Sequence, residues 1–298
     1  MTYPKRVRVV EVGPRDGLQN EPSIVPAEVK VGFIEALADA GLTTIEAGSF
    51  VSPKWVPQMA DTAEVLSRLR SRPGVSYPVL VPNLPGLDRA LACGVREIAI
   101  FGAASESFSQ RNINCSIDES LARFATVAEK ARDAGLRVRA YVSCVLGCPY
   151  EGEVSPDAVA QVAAALFAMG CYEISLGDTI GTGTPLKARQ VVERVASEIP
   201  LDRIALHFHD TYGQALANIL ACLELGVSIV DSAAGGLGGC PYARGAAGNA
   251  ATEDVLYMLN GMGIGTGVDL QAVAAASRTI SRHLSRELSS RVARAMTA

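Results

Sequence analysis

The sequence predicts an α/β fold, a (β/α)8 TIM barrel with an additional C-terminal helix, on three observations. Short β-branched runs alternate with stretches of helical period, the alternation occurs eight times, and no dinucleotide fingerprint interrupts it. The runs lie at 7–12, 43–47, 77–81, 97–101, 137–142, 172–176, 203–208 and 227–231, each nearly continuous in apolar residues, as in parallel strands covered on both faces. The helical stretches follow at 26–40, 59–70, 84–93, 117–134, 155–169, 185–198, 214–225 and 253–262. Those ending near 40, 134, 169 and 225 stop at a glycine directly ahead of the next strand, the pattern of a left-handed C-terminal cap. A last helix at 269–288 carries Arg278, Arg282 and Arg286 at four-residue spacing, which reads as a solvated basic face. No linker rich in Pro, Ser or charge divides the chain, so one catalytic domain is expected over residues 1–298.

Composition bounds the function. Hydrophobic residues are 49% and charged residues 19% of the 298, enough apolar surface to form a core and to exclude a disordered chain. Lys plus Arg is 27 against 31 for Asp plus Glu, a net charge of −4 that offers no broad positive field to nucleic acid or to an acidic membrane. No run approaches the ~18 apolar residues of a membrane span, and no signal segment opens the chain, so a cytoplasmic protein is expected. Seven cysteines at irregular spacing cannot all pair, which also favours a reducing compartment. Cys144 and Cys148 are one residue too far apart for a redox or zinc-knuckle pair.

Catalytic groups in such a barrel come from the C-terminal ends of its strands. The seventh strand ends Leu206-His207-Phe208-His209-Asp210, and alternate residues of a strand share a face, so His207 and His209 stand side by side as candidate ligands of a divalent metal. A hydrogen-bonded histidine pair inside the barrel is the plain alternative. The first strand ends in a charged segment in which Asp16 can offer a metal an oxygen and Arg15 can hold a carbonyl whose charge grows during reaction, unless the two form an ordinary ion pair. Glu46 on the second strand and Asp178 at the end of the sixth add carboxylates to the same rim, where single carboxylates often cap helices. After the eighth strand, 235–249 holds too many glycines to keep one shape unaided and reads as a mobile lid presenting Cys240 as proton donor or nucleophile.

Taken together, these segments resemble the hydroxymethylglutaryl-CoA lyase family, within the metal-dependent barrels that also include the homocitrate and isopropylmalate synthases. The resemblance runs nearly the whole chain. It is carried by Val12-Gly-Pro-Arg-Asp-Gly-Leu-Gln-Asn-Glu21, Ser49-Phe-Val-Ser-Pro-Lys-Trp-Val-Pro-Gln-Met59, Phe101-Gly-Ala-Ala-Ser-Glu106, Tyr141-Val-Ser-Cys144 and Gly147-Cys-Pro-Tyr-Glu-Gly152. Ser175-Leu-Gly-Asp-Thr-Ile-Gly181, His209-Asp-Thr-Tyr-Gly-Gln-Ala-Leu-Ala-Asn218 and Gly238-Gly-Cys-Pro-Tyr242 extend it. The resemblance implies metal ligation by Asp16, His207, His209 and Asn249, carbonyl polarisation by Arg15, a lid cysteine at Cys240, and site carboxylates at Glu46 and Asp178. Phe208 stands where animal relatives are expected to carry Cys, and with 22 Arg to 5 Lys the chain is closer to a bacterial form.

The resemblance implies the retro-Claisen cleavage of 3-hydroxy-3-methylglutaryl-CoA to acetyl-CoA and acetoacetate, or of a closely similar 3-hydroxyacyl-CoA as the alternative, with Mg2+ or Mn2+ as cofactor, Zn2+ or Co2+ also being acceptable to two imidazoles. The base is one of His207, Asp16 and Asp178, and the lid thiol protonates the departing enolate. A small acyl-CoA substrate and a homodimer are implied as partners, with neither nucleic acid nor membrane. The competing readings are a Claisen synthase of the same family, which usually continues into a further C-terminal region, and a silent barrel that binds acyl-CoA or metal as a scaffold.

Overall fold

The computed structural model describes residues 3–239 and 248–296. Cys240 therefore lies outside the described residues, as does the stretch 241–247 of the expected lid. The strand segments are β1 (Arg8–Glu11), β2 (Thr44–Ile45), β3 (Gly48–Ser49), β4 (Val79–Leu80), β5 (Glu97–Ala103), β6 (Arg137–Ser143), β7 (Glu173–Asp178), β8 (Ile204–Phe208) and β9 (Ile229–Ser232). All pair in parallel, in the order β2-β1-β9-β8-β7-β6-β5-β4-β3.

The two ends of that order belong to one run of chain. Along it successive N–H groups serve opposite neighbours: Ile45 donates to Ser76 O (3.0 Å), Glu46 to Glu11 O (2.8 Å) and Ala47 to Pro78 O (2.9 Å). The segments β2 and β3 are thus one strand bonded on both sides, and the sheet closes into the eight-stranded barrel that the eight apolar runs predicted.

The helices alternate with the strands: α1 (Ala27–Asp39), α2 (Thr62–Arg68), α3 (Leu84–Ala92), α4 (Glu106–Ile113), α5 (Ile117–Asp133), α6 (Pro156–Ala168), α7 (Pro185–Ala196), α8 (Ala215–Leu223), α9 (Thr252–Gly261), α10 (Leu270–Leu284) and α11 (Arg291–Ala295). Their starts follow local chemistry, with side-chain caps from Asn83, Ser105, Ser155 and Asp269 and a reciprocal capping box between Ser116 and Glu119. Helices α4 and α11 carry no apolar stripe, burying only Phe108 and Ser109 in the first and Ala293 in the second, and so leave no periodic signal in the sequence. The additional helix is α10, ended by Ser285 in the left-handed conformation, and beyond it Arg286 leaves the expected basic face to pair with Glu21. Among the described residues no helix is long and apolar enough to cross a membrane.

Apolar side chains such as Leu37, Phe124, Leu166 and Ile219 fill the layer between sheet and helices. The inside of the barrel is different. Alternate residues of neighbouring strands place Arg139 and Tyr141, Glu173 and Ser175, His207, and Asp231 there, all buried.

Glu11, also fully buried, ties the first strand to the last unit. Its Oε1 accepts the N–H groups of Gly13 (2.8 Å) and Ala234 (2.9 Å), and its Oε2 lies 2.7 Å from the Thr252 hydroxyl, itself 2.8 Å from Ser232 Oγ. Burial pushes the carboxyl up to about 8 against the opposing pull of these bonds, and the hydroxyl chain can accept its proton without losing a contact. Its ordinary value is 4.5, so between there and about 8 the folded chain holds a proton that the unfolded chain releases. This contribution is full below the unfolded value and is lost as pH rises through the folded one. Glu11→Gln mimics the protonated side chain, and melting curves from pH 5 to 8.5 should show a flatter pH dependence in the variant than in the parent. Equal slopes would assign the pH dependence elsewhere.

Candidate active site

Four strand ends meet at one mouth of the barrel. Beyond β1 the chain makes a single π-helical turn, Gly13–Gly17, in which the Gly17 N–H donates to Val12 O (3.1 Å). This wide turn buries the Arg15 side chain and brings Asp16 toward the axis, where β8 supplies His207 and, one residue past its end, His209. Asp16 Oδ2 lies 3.8 Å from His207 Nε2 and 3.9 Å from His209 Nε2, and the three donor atoms lie within 4.8 Å of one another. Ligands ~2.0–2.2 Å from one ion stand roughly 3–4 Å apart, so two nitrogens and a carboxylate in this spacing fit a divalent metal. Burial, and after it the neighbouring His207, lowers His209 to about 4, which keeps its imidazole neutral as ligation requires.

Asn249 is held beside this cluster by an antiparallel bridge to His209, and its Nδ2 donates to Asp16 Oδ2 (2.9 Å) and Leu237 O (3.2 Å). The approach requires a glycine at 238, where φ is +123° and a Cβ would come within 2.8 Å of that amide nitrogen.

Arg15 spans two carboxylates. Its Nη1 donates to Asp16 Oδ1 (2.7 Å) and its Nε to Glu46 Oε2 (2.6 Å), which also accepts the Tyr141 hydroxyl (3.2 Å). The ion-pair alternative for Arg15 and Asp16 is therefore realised, but inside the site. Against the upward push of burial, the charge of Arg15 first, and with it the Asn249 hydrogen bond, pulls Asp16 down to about 2. Asp178 is buried at the end of β7 and turns into the following loop, its Oδ1 accepting the Thr182 N–H (3.2 Å) and its Oδ2 the Gly183 N–H (2.9 Å). It stands apart from the three-residue donor cluster, and burial raises it to about 6 despite those bonds.

The described root of the glycine-rich segment is pinned, contrary to the expectation of a loose lid beginning at 235. The Gly235 N–H donates to both oxygens of the buried Glu253 (3.1 and 2.9 Å), and the glycines at 235 and 236 serve a turn with φ of +71° and +68°.

Sequence reasoning missed Tyr141, Arg139, Ser175 and Asp231. Tyr141 sits between two guanidiniums, 5.4 Å from that of Arg15 and 4.9 Å from that of Arg139, and meets the His207 ring edge-on at 5.6 Å. Arg139 Nη1 and Nη2 bond the two oxygens of Asp231 (3.0 and 2.7 Å), Ser175 Oγ donates to Asp231 Oδ2 (2.8 Å), and the same oxygen lies 3.3 Å from His207 Nδ1. Burial pushes Asp231 upward, but Arg139 outweighs it and holds the carboxyl below the usual range. An arginine set between apolar neighbours in mid-strand, Val138-Arg139-Ala140, was the available signal.

The model of the HMGL-like family matches residues 6–280. A curated mitochondrial hydroxymethylglutaryl-CoA lyase of Bos taurus is 60% identical over 294 residues, covering 99% of this chain and 90% of that protein. The crystal structure of hydroxymethylglutaryl-CoA lyase from Pseudomonas aeruginosa superposes with a TM-score of 0.98 at 59% identity, covering 100% of this chain and 99% of that one. The structure of an HMG-CoA lyase from Acinetobacter baumannii in complex with coenzyme A and 3-methylmalate superposes with a TM-score of 0.94 at 37% identity, covering 99% and 96% of the two chains.

Titration of the metal-free protein with Mn2+, followed by the loss of the free-ion EPR signal, should show one bound equivalent, and none in His207→Ala or His209→Ala. Full binding by both variants would remove the imidazoles from the ligand set.

Proposed function

The chain belongs to the HMGL-like family, and on that premise we propose that it cleaves 3-hydroxy-3-methylglutaryl-CoA between C2 and C3, releasing acetyl-CoA and acetoacetate. The observation that carries this reading is the Asp16–His207–His209 cluster with Arg15 bonded to Asp16 at the barrel mouth, in a chain 60% identical to a hydroxymethylglutaryl-CoA lyase. Asp16, His207, His209 and Asn249 would hold Mg2+ or Mn2+, or else Zn2+ or Co2+, which would supply Lewis-acid polarisation of the tertiary hydroxyl. A base takes the hydroxyl proton. The C2–C3 electron pair then moves into the thioester carbonyl, the carbinol carbon becomes the ketone of acetoacetate, and Arg15 stabilises the enolate oxygen of the acetyl-CoA fragment. The thiol of Cys240 delivers a proton to the enolate carbon.

Among the three candidate bases, Asp16, pulled down to about 2, is the poorest match to a proton transfer near neutral pH. Glu46 keeps Arg15 in place rather than meeting substrate itself. One catalytic domain over 1–298, a homodimer and a cytoplasmic setting belong to the same proposal; the single family match over 6–280 supports the first, and the other two rest on the resemblance.

Acetoacetate formation from the CoA thioester on addition of Mg2+ or Mn2+ to the purified protein tests the reading, and no product with any of the four metals would overturn it. Arg15→Gln should cut turnover by at least ~100-fold. It also strands the buried Glu46, at a cost of about 3–5 kcal/mol. Adding Glu46→Gln should restore the melting temperature while turnover stays low, which separates catalysis from folding; recovered turnover would leave Arg15 a purely structural part. For Cys240→Ser, a weaker acid at the donor position, unchanged Mn2+ binding with far slower turnover is expected. A fully active variant would take the proton-donor role from the thiol.

A further inference from the structure

The charged groups inside the barrel form a column in the strand register itself. Arg139 on β6 pairs in register with Glu173 on β7, and His207 on β8 pairs in register with Asp231 on β9. From the N-terminal end of the barrel upward, Arg8 is ion-paired with Glu173, and Glu173 Oε1 accepts from Arg139 Nε (2.6 Å). Arg139 in turn grips Asp231 at both oxygens, and Asp231 Oδ2 faces His207 Nδ1 at 3.3 Å. Glu173, Arg139 and Asp231 are each at most 2% exposed. Packed apolar residues of the same volume often stabilise as well as a buried ion cluster of this kind, so its place in the barrel is better explained by what it orients.

That role follows from counting donors. An ionised carboxylate only accepts, and Asp231 Oδ2 already takes the Ser175 hydroxyl (2.8 Å) and an Arg139 N–H (3.0 Å). The ring nitrogen of His207 that faces it makes a bond only when it carries hydrogen. We propose that Asp231 is a positioning residue for the site: fixed by Arg139 and Ser175, it holds His207 as the Nδ1–H tautomer and turns the lone pair of Nε2 toward Asp16 and His209. The tautomer of a ligating histidine is set by the bond its other nitrogen makes. The register of β8 and β9 makes this bond part of the sheet, so the imidazole is oriented before any ligand arrives. The consequence for metal affinity rests on the metal-centre reading above; the tautomer does not.

Two measurements separate these. In the metal-free, 15N-histidine-labelled protein, with His283→Gln and His209→Gln used for assignment, long-range 1H–15N spectra should show His207 protonated at Nδ1. Protonation at Nε2 would overturn the proposal without any change to Asp231. In Asp231→Asn the Nδ1–H population should fall and the Mn2+ dissociation constant should rise by about 10–100-fold, with circular dichroism showing a folded barrel. An unchanged tautomer and an unchanged dissociation constant in that folded variant would overturn it. If Asp231→Asn does not fold, Ser175→Ala, which removes one of the bonds that fix the carboxylate, should raise the constant by a few-fold, and no change there counts against the proposal. An Nδ1–H tautomer in a protein that binds no Mn2+ would uphold the positioning by Asp231 and overturn the metal-centre reading.

Discussion

Arg139 is a guanidinium sealed inside a barrel, at 1% exposure, and the geometry of the mouth is referred to it. Its Nε is taken by Glu173, its two terminal nitrogens by Asp231, and its face by the Tyr141 ring at 4.9 Å. Through Asp231 it reaches His207; through Tyr141, whose hydroxyl bonds Glu46, it reaches the carboxylate that holds Arg15. A planar cation with five fixed donors imposes directions on its partners, where a lysine in the same place would impose only a distance. The mouth therefore inherits its precision from the strands, and the π-helical turn after β1 needs only to deliver Arg15 and Asp16 onto a frame already set.

The fold was legible because the period of the chain carries it: eight apolar runs, eight helical stretches and the glycines between them each follow from local chemistry. What escaped was non-periodic. Helix α4 hides because it buries two residues and shows no stripe. The site was legible only where chemistry stands out from its surroundings, as with two of the three histidines on one strand end. Asp231 and Ser175 were invisible because a polar residue in a short strand looks like a strand end until the neighbouring strand is in register beside it. Glu11 was passed over for a related reason, since the groups that bond it, at Ala234 and Thr252, lie 223 and 241 residues away.

Asp178 and Glu46 show how one residue type divides its work by environment. Both are buried carboxylates on the same rim. Glu46 meets a guanidinium at 2.6 Å, whereas Asp178 meets only backbone N–H groups and keeps a basicity near 6. Burial raises both carboxyls; at Asp178 only the backbone bonds and a nearby imidazole oppose it, whereas at Glu46 the Arg15 guanidinium does, without fully offsetting it.

The hydrogen bond between Asn249 and Asp16 joins residues 233 positions apart, with His207 and His209 from the seventh unit beside the same Asp16 oxygen, at 3.8 and 3.9 Å. On the ribosome the first unit emerges long before either imidazole exists, and the ring cannot close until the eighth strand lies against the first. No nascent chain that stops short of Asn249 holds all four of the proposed ligands. A growing chain accordingly lacks the complete ligand set until Asn249 has followed the eighth strand, so the site is finished after topological closure and not before it.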